Sequence, residues 1–532
     1  MTNKKKDELQ IAKEYDELPY SSYPFEYNRP ENLRSIAAIF NYEAAPLEKA
    51  RVLELGCASG GNLIRFAMDY PKSYTLGIDI SEKQIEVGQK QIKELKIKNL
   101  ELKHLSITDL DDSYGKFDYI ICHGVFSWVP ENVREAILEI GNKLLSKNGL
   151  MFVSYNTLPG WNMISTIRDF MIYHASNFIE INDKVQQSKA AINFLNQSLE
   201  GKDSAHARFM QESAKGLLDK EDHYLRHEYL ASENKAFYFY EFIDLVKEHS
   251  LDYLGDSDLH RMFVGNLPKS AAEKLATIND LIRTEQYIDF IKNTQFRCTI
   301  LCRPGANIAR NITMDVVRKL YFCCYLKASK EMDLSKITDN EEILFYLDET
   351  NTANIAARTP AIKAILYSFA NNIGRAMSVD DLISESLKIY NNKTEIEQEM
   401  ANSLGRMIFS GYFKIFADKP KSVYEISDKP SVSDLALHQA KSFSENRKNW
   451  FTNQNNQMIG LSIHQMYILP LLNGKNTIAE IKEEIFKVIN SGKLVANQGD
   501  QKIEDQKLQK DIANSVVDNF LHDLKINFAL IA

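Results

Sequence analysis

The sequence predicts an α/β fold, a parallel sheet with helices on both faces, and three observations carry that expectation. Between Arg51 and Tyr155, short apolar runs alternate with amphipathic stretches at the spacing of strand–helix units. The first run, Val52–Leu55, breaks into a glycine-rich turn, Gly56-Cys57-Ala58-Ser59-Gly60-Gly61. After Tyr155 the alternation gives way to helical patterns over 163–233. It then resumes at Leu251–Leu254 and Phe296–Cys302, so a sixth and a seventh strand are expected beyond a helical insertion.

Taken in order, Asn62–Tyr70 reads as a helix, with Leu63, Phe66, Ala67 and Tyr70 on one face. Tyr74–Ile80 is the second strand. Ser81 can cap the helix that follows, with Gln84 in the capping-box position. Leu100–Leu105 and Tyr119–Cys122 are the third and fourth strands. Glu131–Leu145 is a helix closed by the Asn148-Gly149 turn, and Leu150–Tyr155 is the fifth strand. Helices at Phe242–His249 and Ile278–Lys292 precede the last two strands, and Arg303-Pro304-Gly305 punctuates the end of the sheet.

Beyond it lies a weak internal repeat of helix, helix, helix and hairpin, the order of a winged helix. In the first unit Thr359-Pro360 opens a helix, Ser378 and Asp381 cap the next, and Tyr412–Phe416 is a strand. In the second, Met466–Leu472, a helix capped by Thr477 and Glu480, Asp511–Leu524 and Phe528–Ile531 repeat the order. The polar stretch from Gly492 to Lys510 is expected as a mobile insertion. The expected divisions are an N-terminal segment (1–45), a sheet domain (46–305, with the insertion at 163–233) and two winged-helix-like units (306–425 and 426–532).

Composition bounds the function. A chain of 532 residues exceeds what one core holds, and its net charge of −8 argues against a general nucleic-acid binder. None of the six cysteines forms C-x-x-C, so all are expected reduced. The first ten residues lack the apolar core of a signal peptide, and no apolar run approaches a membrane span of ~20 residues. A cytoplasmic protein without membrane insertion is expected. His223 and His227 stand at i, i+4 but lack further ligands, so no metal is expected. In the second unit Lys482 sits among Glu480, Glu483 and Glu484, which points to protein docking or dimerisation rather than DNA binding.

The glycines at 56 and 60 are spaced G-x-x-x-G, unlike the G-x-G-x-x-G of dinucleotide binders, and no Gly-Lys-Ser/Thr of a phosphate loop follows. Asp79 closes the second strand, where an acid can accept both hydroxyls of a ribose. With E-L-G-C-A-S-G-G-N at 54–62, G-I-D-I-S at 77–81, F-D-Y-I-I-C-H at 117–123 and L-L-S-K-N-G-L at 144–150, the chain resembles the class I S-adenosylmethionine-dependent methyltransferases from Arg51 to about Cys302. The resemblance implies a Rossmann-like seven-stranded sheet and S-adenosyl-L-methionine (AdoMet) as cofactor. It puts Glu54, Gly56, Cys57, Ala58, Gly60 and Asn62 around the methionine part, with Gly56 and Ala58 cradling it. Asp79 would hold the ribose and Ile80 would lie against the adenine. Where the family usually carries an acid after the third strand, this chain has Ser106, with Asp109 three residues on. The Ser106 oxygen and the Ile107 amide are the expected adenine partners.

A narrower resemblance rests on Y-D-E-L-P-Y-S-S-Y-P-F at 15–25, Y-N-T-L-P-G-W at 155–161, H-E-Y-L at 227–230 and E-Q-Y-I-D-F at 285–290. These look like the methyltransferases with a regulatory domain, and among them the rickettsial protein-lysine methyltransferases that modify outer membrane protein B. That likeness implies a lysine side chain on a protein substrate, and a homodimer.

Methyl transfer is an in-line displacement at a sulfonium, so the enzyme mainly positions two groups, and a lysine must be neutral to attack. Tyr20, Tyr23, His123 and Tyr155 are expected around the methyl-bearing sulfur in an open cleft, with the N-terminal segment folded over it. His123 could contact the methionine end, act as a base, or simply be a hydrogen-bonded histidine at a strand end. Trp128 and Trp161 are expected as local core. A methyltransferase for a small molecule or for RNA, and a non-enzymatic adaptor with a degenerate cofactor fold, are the alternatives. Because every cofactor motif precedes Cys302, residues 306–532 are expected to be dispensable for cofactor binding.

Overall fold

The structure, a computed structural model, describes Asp16 and residues 22–347, 350–441, 443, 449–495, 497–498, 501–503 and 505–532. A seven-stranded sheet organises the first 302 residues. Its strands are β1 (Arg51–Leu55), β2 (Tyr74–Asp79), β3 (Leu100–His104), β4 (Phe117–Cys122), β5 (Leu145–Asn156), β6 (Asp252–Asp256) and β7 (Phe296–Cys302), in the order β3-β2-β1-β4-β5-β7-β6. β1 to β5 run parallel, but β7 is antiparallel to both β5 and β6. The sheet is therefore mixed rather than wholly parallel. Hydrophobic alternation marks a strand without marking its direction.

The central strands carry apolar side chains on both faces because both faces of the sheet are covered. Val52, Tyr119, Ile121, Leu150 and Phe152 pack on one side with residues of α1 (Pro30–Ile39), α2 (Ile64–Asp69) and α3 (Glu82–Glu94). Leu53, Leu55, Ile120, Cys122, Met151, Val153 and Tyr155 pack on the other with α4 (Glu131–Leu144) and α8 (Phe239–Glu248). The Ser81 hydroxyl accepts from the Gln84 amide and so starts α3, as the capping pattern predicts. The insertion folds as α5 (Gly160–Ala175), α6 (Ile181–Ser198) and α7 (Ala205–Leu218), closed by a π-helical turn at Leu225–Tyr229. It has its own core of Ile167, Met171, Val185, Ile192, Met210 and Leu217.

In the C-terminal half Pro360–Ala370, Val379–Ile389 and Ile478–Asn490 start at the expected caps, and Lys393–Phe409, Ile463–Ile468 and Gln506–Ile526 complete the expected helices, the last two with shifted ends. The expected hairpins do not form. Phe413–Phe416 pairs back with Tyr321–Cys324, which precedes the three helices, and Leu530–Ile531 pairs with Ser431–Val432 in the same manner. Each unit is thus closed by a strand from in front of its helices. Three further strands at 327–328, 343–346 and 354–357 lie in a stretch the sequence reading passed over. Within Gly492–Lys510, Leu494 and Ile503 join the core of the last unit, and a short strand pair forms at 497–498 and 501–502. The core on the α1 side of the sheet runs without a break into the first C-terminal unit, through Phe322, Phe413, Leu366 and Met400.

The edge of the sheet is pinned by a buried charge cluster. Arg297 of β7 is fully buried and donates to Glu285 Oε2 (2.9 Å) and to both oxygens of Asp289 (2.9 and 3.1 Å) on α9 (Leu281–Lys292), 3.6 Å from Asp256 of β6. Its guanidinium lies 3.8 Å from the Phe239 ring centroid, and Tyr253 donates to Glu285. Removing one partner from such a cluster leaves an uncompensated buried charge. Arg297→Met is therefore expected to cost about 3–5 kcal/mol, read as an earlier first transition in chemical denaturation. A midpoint equal to wild type would show that the cluster does not hold the edge.

Candidate active site

At the carboxyl ends of β1 to β5 lies a cavity of about 500 Å³. In a sheet of this order the chain turns in opposite directions on either side of β1 and β4, and the crevice there is where ligands bind. The glycine loop forms its floor. Gly56 has φ +73°, and a Cβ there would meet Val125 Cγ2 at 2.5 Å, so only glycine fits. Its amide and that of Cys57 both donate to Ile78 O, which stitches the loop to β2. Ala58 also adopts a left-handed φ, +48°, and is held there because its amide donates to Asp79 Oδ2 at 2.8 Å. The other Asp79 oxygen accepts from the Ser81 amide at 2.9 Å. Asp79 is therefore both a cavity-lining acid and the clasp of the loop. Burial pushes its carboxyl up, and the amides that it accepts from oppose that rise.

Glu54 is buried beneath the loop. Its Oε1 accepts from Asn62 Nδ2 at 2.9 Å, while its Oε2 is buried without a hydrogen-bond partner. Burial raises its pKa to about 8, so it carries a proton at neutral pH in this state. An orphaned carboxyl oxygen beside a cavity fits a cationic ligand group, and the methionine end of AdoMet offers an ammonium. The residues present thus fit AdoMet, which supplies an electrophilic methyl group when bound. Glu54 and the loop would hold its methionine part, Asp79 its ribose, and Ile80, Ser106 and Ile107 its adenine; all of these line the cavity.

His123 follows β4 and stands at the centre of an aromatic cage. Its ring lies 4.3 Å from that of Phe25, 5.3 Å from Tyr27, 6.0 Å from Phe152 and 6.2 Å from Phe296, between centroids. Nε2 shares a hydrogen bond with the Tyr27 hydroxyl and Nδ1 with Ser154 Oγ, each at 2.9 Å. Burial pushes its pKa down to about 4, so the imidazole is neutral at physiological pH. Both nitrogens are engaged within the fold.

Most of the expected residues come together here. Glu54, Gly56, Cys57, Ala58, Asn62, Asp79, Ile80, Ser106, Ile107, His123 and Tyr23 all line the cavity. Gly60 does not: it turns the loop with φ +75° and faces Leu102. Tyr155 does not either. Side chains alternate along a strand, so Ser154 and Asn156 face the site while Tyr155 turns into the opposite core. There it stacks on Phe242 with centroids 3.9 Å apart, and its hydroxyl bonds Thr299. Tyr20 lies outside the described residues.

Several lining residues were not expected. Phe25 and Tyr27 come from the N-terminal segment; Gln84, Asn156 and Gln295 from the sheet domain; Tyr224, His227, Glu228 and Tyr229 from the turn that ends the insertion. Trp128 and Trp161 also line the cavity instead of serving only as core, with ring centroids 5.8 Å apart.

The C-terminal units reach this site. Asn456 Nδ2 donates to Asn62 Oδ1 (2.9 Å) and Asn62 O (3.2 Å), Gln454 accepts from Arg65, and Arg29 donates to Gln454 O (3.1 Å). Lys414 and Gln457 both donate to Glu26, and the Trp450 ring lies tilted against that of Tyr23, 5.8 Å between centroids. The loop from 453 to 456 bonds Asn62 of the cofactor loop, so the C-terminal region that was expected to be dispensable for cofactor binding is in contact with the cofactor site.

Comparison with known proteins agrees with this geometry. Residues 47–230 match a family described as a methyltransferase domain, 221–303 a predicted methyltransferase regulatory domain, and 428–528 the PKMT C-terminal winged helix domain. An uncharacterized protein of Rickettsia prowazekii is 40% identical over 93% of this chain and 89% of its own length. The structure of PKMT2 from Rickettsia typhi in complex with S-adenosylhomocysteine (AdoHcy) matches 97% of this chain and 100% of its own at 42% identity, with a TM-score of 0.89. The chain belongs to the class I AdoMet-dependent methyltransferases. PKMT2 without ligand superposes equally well, at a TM-score of 0.88. As a methyltransferase with an intact loop, the protein is an enzyme with AdoMet as cofactor, and the degenerate-adaptor alternative falls.

Two measurements check the site. Asp79→Ala is expected to weaken AdoHcy binding by about 2–3 kcal/mol, since it removes a buried charged acceptor; calorimetry giving wild-type affinity would remove Asp79 from the site. Asn456→Ala is expected to weaken binding by about 1 kcal/mol through Asn62 alone. An unchanged affinity in that variant would show that the C-terminal loop only abuts the site.

Proposed function

We propose that the protein is a protein-lysine N-methyltransferase acting on a surface protein of the outer membrane protein B type. The observation that carries this reading is the wall of the cavity that the helical insertion and its flanks supply. Trp128, Trp161, Tyr224 and Tyr229 line it with Asn156, a set of aromatic faces suited to a primary, secondary or tertiary ammonium. The name PKMT, for protein-lysine methyltransferase, borne by the Rickettsia typhi neighbour, supports the same acceptor. So does the net charge of −8, which favours a lysine-bearing partner over RNA. The sequence resemblance supports a homodimer, and the scattered cysteines support a reducing, cytoplasmic site of action. Among the described residues no helix is long and apolar enough to cross a membrane.

Within this reading the chain's own residues position rather than react. The aromatic wall holds the side chain of the acceptor, the cage around His123 keeps water from the junction of the two ligands, and the N-terminal segment from Ser22 to Tyr27 roofs it. The test is incubation with methyl-labelled AdoMet and a rickettsial cell-envelope extract, followed by amino-acid analysis. Label is expected in methylated lysine of an outer-membrane protein. Label confined to small molecules or to nucleic acid would refute the proposed acceptor.

A further inference from the structure

We infer that Glu228 is the group that receives the acceptor ammonium and takes its proton before methyl transfer. This rests on the lysine reading above and goes beyond it by naming a base. Glu228 lies in the π-helical turn Leu225–Tyr229 and lines the cavity together with its neighbours Tyr224 and Tyr229. A π-helical turn in place of regular helix is a feature enriched at functional sites. Among the described residues its carboxyl has neither a hydrogen bond nor an ion pair, although its charge is felt by both Tyr224 and Tyr229. A half-buried acid that is spent on no structural contact, near two phenols in an aromatic-lined cavity, has the acceptor as its natural partner.

The other acids of the cavity are committed. Asp79 is clasped by the Ala58 and Ser81 amides, and Glu54 is tied to Asn62 under the loop. His123 has both nitrogens in hydrogen bonds and is held neutral with a pKa near 4, too weak a base for an amine. Burial alone lifts the Glu228 carboxyl to about 7, and no charged neighbour contributes to the shift. A base titrating there is matched to neutral pH. The titratable groups that share the cavity with it are Tyr224, His227 and Tyr229 beside it in sequence, and Tyr23, Tyr27, Glu54, Cys57, Asp79 and His123 elsewhere in the lining.

The proton balance is as follows. A free lysine, with a pKa of ~10.4, is neutral in only about one molecule in a few thousand at pH 7. The Glu228 carboxylate takes one N–H proton from the ammonium and becomes a neutral acid, which leaves a lone pair on the amine. That pair forms the new N–CH3 bond while the electrons of the S–CH3 bond pass to sulfur, and the sulfonium becomes a neutral thioether. The carboxyl returns its proton to solvent. The methylated product is again an ammonium, so the same cycle applies to a second methyl group.

The experiment uses the full chain, AdoMet and a purified fragment of a rickettsial outer membrane protein B. Wild-type kcat is expected to rise with pH and level off above about 7. Glu228→Gln is expected to lower kcat by about 100-fold and to keep rising toward the pKa of the amine, with AdoHcy affinity by calorimetry unchanged. Glu228→Asp is expected to restore part of kcat and the plateau. Wild-type kcat and pH profile in Glu228→Gln would overturn the assignment. So would a loss of AdoHcy affinity matching the loss of kcat, since that marks a structural role. If wild type methylates no lysine in the fragment, the lysine reading itself fails, and Glu228 with it.

Discussion

The side chain of Asn62 is the point on which this architecture turns. Its Nδ2 donates to Glu54 at the end of β1, and its Oδ1 accepts from the Phe25 amide and from Asn456 Nδ2. One carboxamide therefore joins the first strand, the N-terminal cover, the cofactor loop and the C-terminal unit. An asparagine suits this place because it offers donors and an acceptor on one short side chain. Aspartate would set a second acid against Glu54, and leucine would leave the Glu54 carboxyl and the Phe25 amide without this partner. The loop can be both glycine-rich and ordered because its last residue is fixed from three sides.

That junction also explains how a chain this long serves a single site. The N-terminal segment crosses the cavity and is fastened at its far side, where Glu26 accepts from Lys414 and Gln457. The first C-terminal unit shares the core on the α1 side of the sheet, and the second presents the loop that holds Asn62. On the opposite edge the Arg297 cluster fixes β6, β7 and α9. The cavity is thus framed by elements from every part of the chain, although its motifs occupy fewer than a hundred residues.

Much of this was legible because local chemistry decides it. The strands of the sheet read as apolar runs, the caps at Ser81, Ser378 and Thr477 placed helices correctly, and Asp79 was marked by its position after the second strand. The errors share one cause, which is that sequence carries no orientation. In β5, which is buried on both faces, nothing tells Tyr155 from its neighbours, and the alternation sends Ser154 and Asn156 toward the site instead. The direction of β7 and the long-range closure of each C-terminal unit are likewise tertiary facts. Tyr27 and Asn456 have no local signature, and Phe25 stood in a quoted motif without being marked, since an aromatic in a short segment or an asparagine in a polar loop reads as ordinary surface. Glu228 stood within a recognised motif, H-E-Y-L, but its role depends on a cavity that only the folded insertion creates.

The charge state of the cavity ties these features to the chemistry. Methylating a lysine brings two cations together, a sulfonium and an ammonium, and at about 4 Å their repulsion amounts to about 4 kcal/mol at an effective dielectric of about 20. A site that simply attracted both would hold them in an unreactive pair, because a protonated amine has no lone pair. The structure answers with weak, separated acids. Glu54 and Glu228 are shifted by burial to about 8 and about 7, so each can be neutral without a cation and ionised beside one. His123, pushed to about 4, adds no positive charge between them. In the proposed reaction one carboxyl would be matched to the methionine end and the other to the acceptor, and removal of a proton at Glu228 would convert a repulsive pair of cations into a nucleophile facing an electrophile. Burial of acids that would be wasteful in a purely structural core is, in this cavity, what lets two positive reactants meet.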